Sequence, residues 1–397
     1  MVGDNLHPSG EDAPLIFLIA GEPSGDVLGA KLMKALKTAT GGCVRFAGVG
    51  GQRMTAEGLT SLFPLQDIAV MGLTEVLPQL PRILSRLRQT VSAIRRTPPA
   101  VVVTIDAPSF CLRVADRIRD LGVPIVHYVA PQLWAWRPER VKKLVGRIDH
   151  LLLLFPFEAP FFEAAGIPSS YVGHPVLEDA SATGSARFRE RHGIPATAPL
   201  LLVLPGSRRG LAGRMLPVFG PAIDRLRTRH ADLHVVIPVV DGTADLVAAA
   251  TAAWRPRPIL VEDLDEKRAA TAAADAALTT SGTATLELAV AGVPMVVTYK
   301  VSPISGWFAR RLIRVPHVAM PNLIAQRLIV PELLQENCTP ERITAAVGHL
   351  LENPEARAEQ QVTLRQICAS LGRDGASPSA RAAAVVLDVI EKRRLAA

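Results

Sequence analysis

Apolar residues occur along this chain in short unbroken runs between turn signals, not in strict alternation. In the first half these are Leu15–Ala20 (LIFLIA), Val101–Ile105 (VVVTI) and the runs at 125–129 and 150–154. Their length and β-branched content predict strands. The lack of alternation predicts strands covered on both faces, hence a parallel sheet. A helical pattern over 28–36 follows the first run. A second series comprises Leu200–Leu204, 233–240, Ile259–Val261, 276–279 and 294–299, with a helix over 282–291. Residues 175–198 between the two series lack a sustained apolar period and are rich in Ala, Ser, Pro and charge. The chain closes with a helix over 379–394. Its Ala382, Val385, Val386 and Val389 share one apolar face, which packs back on the first domain or on a second copy as a homodimer. The expected fold class is α/β, with two facing, doubly wound, Rossmann-like domains. The expected boundaries are 1–180, a link at 181–198, a second domain at 199–368 and the terminal helix segment at 369–397.

Composition narrows this picture. At 397 residues, 49% hydrophobic and 20% charged, the chain is neither disordered, collagen-like nor a coiled coil. The formal charge of +7 is unevenly placed. Residues 1–180 hold 18 Lys/Arg against 17 Asp/Glu, and 181–397 hold 26 against 20. A basic second half favours an anionic ligand or surface. No nucleic-acid partner is expected, because there is no aromatic-interleaved basic stripe and no zinc-finger spacing. Cys43, Cys111, Cys338 and Cys368 form no C-x-x-C pair and read as small buried hydrophobes of a reducing compartment. The acidic N-terminus lacks the basic region of a secretory signal. No run reaches the ~18 apolar residues of a membrane span. The expectation is a cytoplasmic protein, soluble or peripheral.

Chemistry concentrates where strands end. Gly21-Glu22-Pro23-Ser24-Gly25-Asp26 follows the first strand. Gly21 and Gly25 let the backbone approach a ligand, and the next helix offers free N–H groups; equally, Ser24 or Asp26 caps that helix. Asp106 follows VVVTI, placed as a general base or as a helix cap. The segment His127-Tyr128-Val129-Ala130-Pro131-Gln132-Leu133-Trp134-Ala135-Trp136 reads as a wall for a sugar ring, with His127, Gln132 and Trp134 its candidates, or as a proline-rich core edge. Gly48-Val49-Gly50-Gly51 is half a dinucleotide fingerprint, with Arg53 where the third glycine belongs, so a nicotinamide cofactor is rejected.

In the second half, Gly206 and Ser207 form a tight turn and Arg208 offers a planar fork to a diphosphate. No Walker loop and no nucleophile elbow occur. Ser281, Gly282 and Thr283 cradle phosphates at a helix start, or merely cap it. Glu287, about one turn on, accepts two ribose hydroxyls. Asn322, in Pro321-Asn322-Leu323, closes over the same site or is only a turn.

In order, GEPSGD, VGGQRM, IDAPSF, HYVAPQLWAW, PFE, VGHP, LPGSR, SGTATLE and MPNLIA resemble the lipid-A-disaccharide synthase family, from about residue 15 to 339. That family comprises inverting glycosyltransferases of the GT-B fold. The resemblance implies an enzyme that moves 2,3-diacylglucosamine from UDP to 2,3-diacylglucosamine 1-phosphate. The products are the β(1→6) disaccharide 1-phosphate and UDP. It implies no metal and no cofactor. It makes 1–180 the acceptor-side domain and 199–368 the UDP-sugar domain. Asp106 becomes the base, with Glu22 in reserve, and Ser24, Gly25 and Asp26 join the acceptor wall. The sequence departs from the family after Arg208, where Arg209-Gly210-Leu211 carries no acidic residue.

Acylated substrates do not leave a bilayer cheaply, so docking on the cytoplasmic face of the inner membrane is expected. The apolar loop at 68–77, before a helix that starts after Pro81, is its candidate: Ile68, Val70, Met71, Leu73, Val76 and Leu77, joined by Met215. Flanking arginines would meet anionic lipid. Two other classes stay open on residues alone, a UDP-sugar 2-epimerase of the same architecture and a non-catalytic UDP-sugar-binding protein.

Overall fold

The computed structural model describes residues 13–69, 73–136, 138–178, 184–240, 242–301, 316–372 and 375–396. The chain divides into two compact units, 1–175 with 374–397, and 176–373.

The first unit holds a six-stranded parallel sheet in the order β2-β1-β3-β4-β5-β6. The strands are β1 (Leu15–Ala20), β2 (Arg45–Val49), β3 (Val101–Ile105), β4 (Ile125–Tyr128), β5 (His150–Leu153) and β6 (Ser169–Tyr171). All five residues of β3 are buried, as its unbroken apolar run requires. The helix Pro23–Ala39 starts with Pro at its first position, where the missing N–H costs nothing. It buries Leu28, Leu32, Met33 and Leu36 at helical spacing and ends before Gly41 and Gly42, both at positive φ. The helix Pro378–Ala396 packs on it and completes this unit from the far end of the chain. Its buried face is Ala382, Ala383, Val386 and Ile390, with Val385 and Val389 half-buried at the edge.

The second unit holds another six-stranded parallel sheet, ordered β12-β11-β10-β7-β8-β9. Its strands are β7 (Leu200–Leu204), β8 (His234–Pro238), β9 (Ile259–Val261), β10 (Ala276–Thr280), β11 (Met295–Tyr299) and β12 (Glu332–Leu334). In the stretch expected to be a link, the helix Ser185–Arg191 packs against the helix Leu264–Ala273, and Arg189 pairs with Asp275 at 2.9 Å.

Two expectations about apolar surface are corrected. The helix expected after Pro81 spans Leu73–Arg96 and runs through Pro78 and Pro81. Ile68 is buried, so it offers no lipid contact. Val70 and Met71 lie outside the described residues, as do the side chains of Leu73, Val76 and Leu77. Met215 is fully buried on the inward face of the helix Arg209–Arg229, packed in the second unit's core with Leu216 and Phe219. It cannot form an acyl rim. No described helix is long and apolar enough to cross a membrane.

Candidate active site

In an open parallel sheet, ligands bind beyond the carboxyl ends of the strands where the strand order reverses. The first sheet reverses between β1 and β3, and the second between β7 and β10. The turns that follow these four strands are GEPSGD, Asp106-Ala107, Gly206-Ser207-Arg208 and Ser281-Gly282-Thr283. Four of the motifs singled out for chemistry therefore sit at the two switch points, whereas the segment 127–136 runs on from the end of β4 and Asn322 lies in the helix Met320–Ala325.

At the first switch point the backbone is strained. Asp106 (φ 54°), Ala107 (φ 43°) and Val129 (φ 77°) adopt left-handed conformations that non-glycine residues rarely take. The Asp106 N–H donates to the Tyr128 carbonyl at 3.0 Å, tying the end of β3 to that of β4. Its carboxylate accepts from the Ala107 N–H at 2.8 Å. No side chain caps the helix Pro108–Ile118, so Asp106 is not a helix cap. Gly21 is compulsory, because a Cβ there would lie 2.0 Å from the Ala107 Cβ. Glu22 is half-buried and Ser24 exposed at the start of the helix Pro23–Ala39.

Several wall candidates are occupied elsewhere. Asp26 is buried and accepts three backbone N–H bonds, from Gly51 (2.7 Å), Met54 (3.0 Å) and Arg53 (3.0 Å). It caps the helix Gln52–Ala56 from the neighbouring helix, and its burial keeps it turned to that backbone. Gly25 is buried against the strand ends, where a Cβ would stand 3.4 Å from the Ile105 carbonyl oxygen, so its role is close helix–sheet packing. His127 is fully buried, its Nδ1 2.7 Å from the Thr104 hydroxyl. Burial pushes its imidazole down to about 4, so it is a neutral core residue and not part of a wall. Gln132 is exposed and Trp134 half-buried. The Trp134 indole N–H donates to Glu158 Oε1 at 3.2 Å, and its ring meets Phe157 edge-on at 4.9 Å.

Glu158 escaped the sequence reading as a site residue. It is almost fully buried, and burial raises its carboxyl to about 7 against the lowering effect of its hydrogen bonds. The available signal was one acid inside the otherwise apolar run LLLLFPFEAPFF.

The second switch point is open. Gly206 sits at φ 108°, and a Cβ would meet Leu211 at 2.7 Å. Ser207 and Arg208 are exposed just before the helix Arg209–Arg229. Arg208 makes no ion pair with the described residues, whereas Arg209 pairs with Asp245. After β10, the Ser281 hydroxyl donates to the Val318 carbonyl at 2.7 Å. Gly282 has φ 152° and empty space where a Cβ would be. Thr283 precedes the helix Ala284–Ala291, whose Glu287 pairs with Lys267 at 3.0 Å. These residues line a cavity of about 330 Å³, with Val240 and Tyr299 on its walls. Two helix N-termini and the Arg208 guanidinium give it the groups that suit an anion, while the Lys267 charge is matched by Glu287. Lys267 was missed because it comes from another βα unit, with no local motif around it.

Asn322 is corrected. It is fully buried and uses both ends of its amide: Nδ2 donates to Val330 O (2.9 Å) and Glu332 Oε1 (2.7 Å), and Oδ1 accepts from Ile329 N (2.7 Å) and Val330 N (2.9 Å). Glu332 in turn accepts from the N–H groups of Val318 and Ala319. Asn322 thus braces the segment that receives the Ser281 hydroxyl, with both ends of its amide committed to the protein.

With this geometry described, comparison with known proteins becomes informative. The family model described as lipid-A-disaccharide synthetase matches residues 16–386. A lipid-A-disaccharide synthase of Rhodospirillum centenum is 52% identical over 386 residues, 96% of each chain. Among solved structures, the glycosyltransferase of kitacinnamycin aligns with a TM-score of 0.64 at 17% identity, covering 95% of this chain and 99% of that one. The UDP-GlcNAc 2-epimerase of Neisseria meningitidis, bound to UDP-GlcNAc, aligns at 0.62 and 13% identity, with the same coverage. These two likenesses are of fold.

Proposed function

This chain belongs to the lipid-A-disaccharide synthase family, and from that premise we infer how its residues divide the work of a glycosyl transfer. It is a glycosyltransferase of GT-B fold. The reaction moves 2,3-diacylglucosamine from UDP to the 6-hydroxyl of 2,3-diacylglucosamine 1-phosphate, giving the β(1→6) disaccharide 1-phosphate and UDP. The observation that carries the residue assignment is the open anion cavity at the β7/β10 switch point. An epimerase shares only the fold, at 13% identity.

The donor chemistry is assigned to the second unit. The diphosphate lies against the N–H groups that follow Gly206 and Gly282, with the hydroxyls of Ser207 and Thr283 around it, while the Ser281 hydroxyl, donated to the Val318 carbonyl, holds the turn in shape. Arg208 pairs with it and stabilises the charge that grows as UDP departs. Glu287 accepts the ribose hydroxyls, sharing its carboxylate with Lys267. The acceptor chemistry is assigned to the first unit. Asp106 takes the proton of the attacking hydroxyl as its oxygen bonds to the sugar C1, while the C1–O bond to UDP breaks and UDP keeps that electron pair. Glu22 is the reserve base. Its position beside Gly21 places it at the same switch point. Gln132 and Trp134 form the wall.

The acyl chains favour peripheral docking on the cytoplasmic face of the inner membrane. On the helix Leu73–Arg96, Arg82 and Arg86 pair with Asp67 and Arg95 with Asp120, so Arg88 and Arg96 are the arginines that meet anionic lipid there, each worth about 1 kcal/mol near the surface. A homodimer is proposed with it.

Incubating the protein with UDP-diacylglucosamine, with and without the acceptor lipid, tests the reading. UDP release that requires acceptor, together with disaccharide formation, is expected. Acceptor-independent inversion at C2, or no turnover at all, would overturn it.

A further inference from the structure

Like Asp26, Glu158 is a buried carboxylate at the carboxyl edge of the first sheet that the transfer chemistry leaves unused, but its partners are an indole and a neighbouring turn and not a helix start. It follows β5, in the turn Pro156–Glu158. Its two oxygens accept from two different elements: Oε1 from the Trp134 indole N–H after β4, at 3.2 Å, and Oε2 from the Phe155 backbone N–H at 3.0 Å. Its own N–H donates back to the Phe155 carbonyl at 3.2 Å. The carboxylate thereby fastens an indole to a turn on the neighbouring strand.

The rings around it extend the same connection. Trp134 meets Phe157 edge-on at 4.9 Å, Phe157 stacks on Phe155 at 5.4 Å, and Phe155 lies 5.5 Å from His174, which follows β6. The strand ends of β4, β5 and β6 are thus linked through one aromatic row. Within the row, Trp134 is attached to Glu158 by a directional bond, so its ring orientation depends on Glu158.

A carboxylate is the side chain this geometry requires. Both N–H groups need an acceptor, and each carboxylate oxygen supplies one. Glutamine has nearly the same volume but replaces one oxygen with an NH₂ donor, leaving one N–H opposed by another donor. An apolar residue would fill the space and strand both. Burying an acid at this depth is costly, and a purely apolar core edge would avoid that cost.

We propose that Glu158 is a positioning residue of the acceptor wall, holding the Trp134 ring at the angle at which it packs on the acceptor sugar. It touches no reacting atom. This rests on the reading that Trp134 forms that wall, so the test separates the two. Trp134→Ala removes the wall, Trp134→Phe removes the N–H and one of the two fused rings while keeping an aromatic ring beside Phe157, and Glu158→Gln breaks the bond from its other end without altering the indole.

Steady-state kinetics are run with each substrate varied in turn, with circular dichroism and UDP binding confirming the fold of each variant. Glu158→Gln should raise the acceptor-lipid KM about tenfold, the order of one hydrogen bond to a charged group. The donor KM should stay within about twofold, because the second unit is untouched. Trp134→Phe should match it, and the double variant should be no worse than Trp134→Phe alone. If Trp134→Ala raises the acceptor KM but Trp134→Phe and Glu158→Gln do not, the positioning role is wrong and the wall stands. If Trp134→Ala leaves it unchanged, the wall reading itself is wrong. Should Glu158→Gln not fold, a parental acceptor KM in Trp134→Phe overturns the proposal.

Discussion

Polar side chains at the strand ends of the first unit bind mainly the protein itself, while those of the second line a cavity. Asp26, His127 and Glu158 are buried, each with a partner inside the unit. Ser207, Arg208 and Thr283 are exposed. The backbone differs as well. The first switch point puts Asp106 and Ala107 into left-handed conformations, joined by Val129 after the neighbouring β4, whereas the second reserves such angles for Gly206 and Gly282. Both sheets are parallel, six-stranded and reversed beside their first strand, so topology does not cause the difference. An anion site needs exposed N–H groups and cations, and glycine turns provide them directly. The wall proposed for the acceptor's sugar ring needs fixed shape, and Asp26, His127 and Glu158 of the first unit act by holding the protein itself.

Four measurements probe this contrast, from the largest expected effect down. Asp106→Asn keeps the turn's shape and removes the base, so kcat should fall about 10²–10⁴-fold with UDP affinity nearly unchanged. Near-normal kcat would leave Asp106 a structural residue like its neighbours. Arg208→Ala should lower kcat by about 10²–10³-fold and also weaken UDP binding, because the charge it meets grows in the transition state. Calorimetric titration showing parental UDP affinity in both Arg208→Ala and Glu287→Ala would move the nucleotide out of this cavity.

Asp26→Ala should act on stability and not on kinetics. It leaves three backbone N–H groups without their acceptor and should cost about 2–4 kcal/mol in denaturant unfolding. A raised acceptor KM in a well-folded Asp26→Ala protein would return this residue to the wall.

The fourth measurement uses pH. Burial raises Glu158 from 4.5 to about 7, so its stabilising contribution is full below about pH 4.5 and lost as pH rises through about 7. Burial lowers His127 and His174 from 6.5 to about 4, so theirs is full above about pH 6.5 and lost as pH falls through about 4. Glu158→Gln removes only the first response. The stability of this variant relative to the parent should therefore climb between about pH 5 and pH 8, by about 2 kcal/mol. A difference flat with pH would mean the carboxyl does not titrate in that window.

Legibility in the sequence follows the same division. Strands such as Val101–Ile105 and Leu200–Leu204 are buried on both faces and announce themselves as apolar runs. β2 (RFAGV), β6 (SSY) and β12 (ELL) do not, because at the sheet edges their residues are only partly buried and need not form an apolar run. The glycine turns of the second unit were readable because Gly206 is required by its own φ and by Leu211. Asp26 and Asn322 looked like ligand groups because a short polar residue in a turn has the same local pattern whether it binds substrate or backbone. Only the partners across the fold, Gly51 to Met54 for one and Val330 with Glu332 for the other, distinguish the two cases. The proline rule failed at Pro78 and Pro81, which the helix Leu73–Arg96 accommodates.

The packing of the helix Pro378–Ala396 on the helix Pro23–Ala39 also sets a timetable for biosynthesis. At translation rates of about 5–20 residues per second, the earlier helix waits on the order of half a minute for its partner to leave the ribosome. During that interval the surface meant for Ala382, Val386 and Ile390 is uncovered. The second unit, contiguous in the chain, is free to fold within the same interval. The nascent first unit is therefore the stage at which chaperones gain access, and a premature stop late in the message removes a wall of the domain made first.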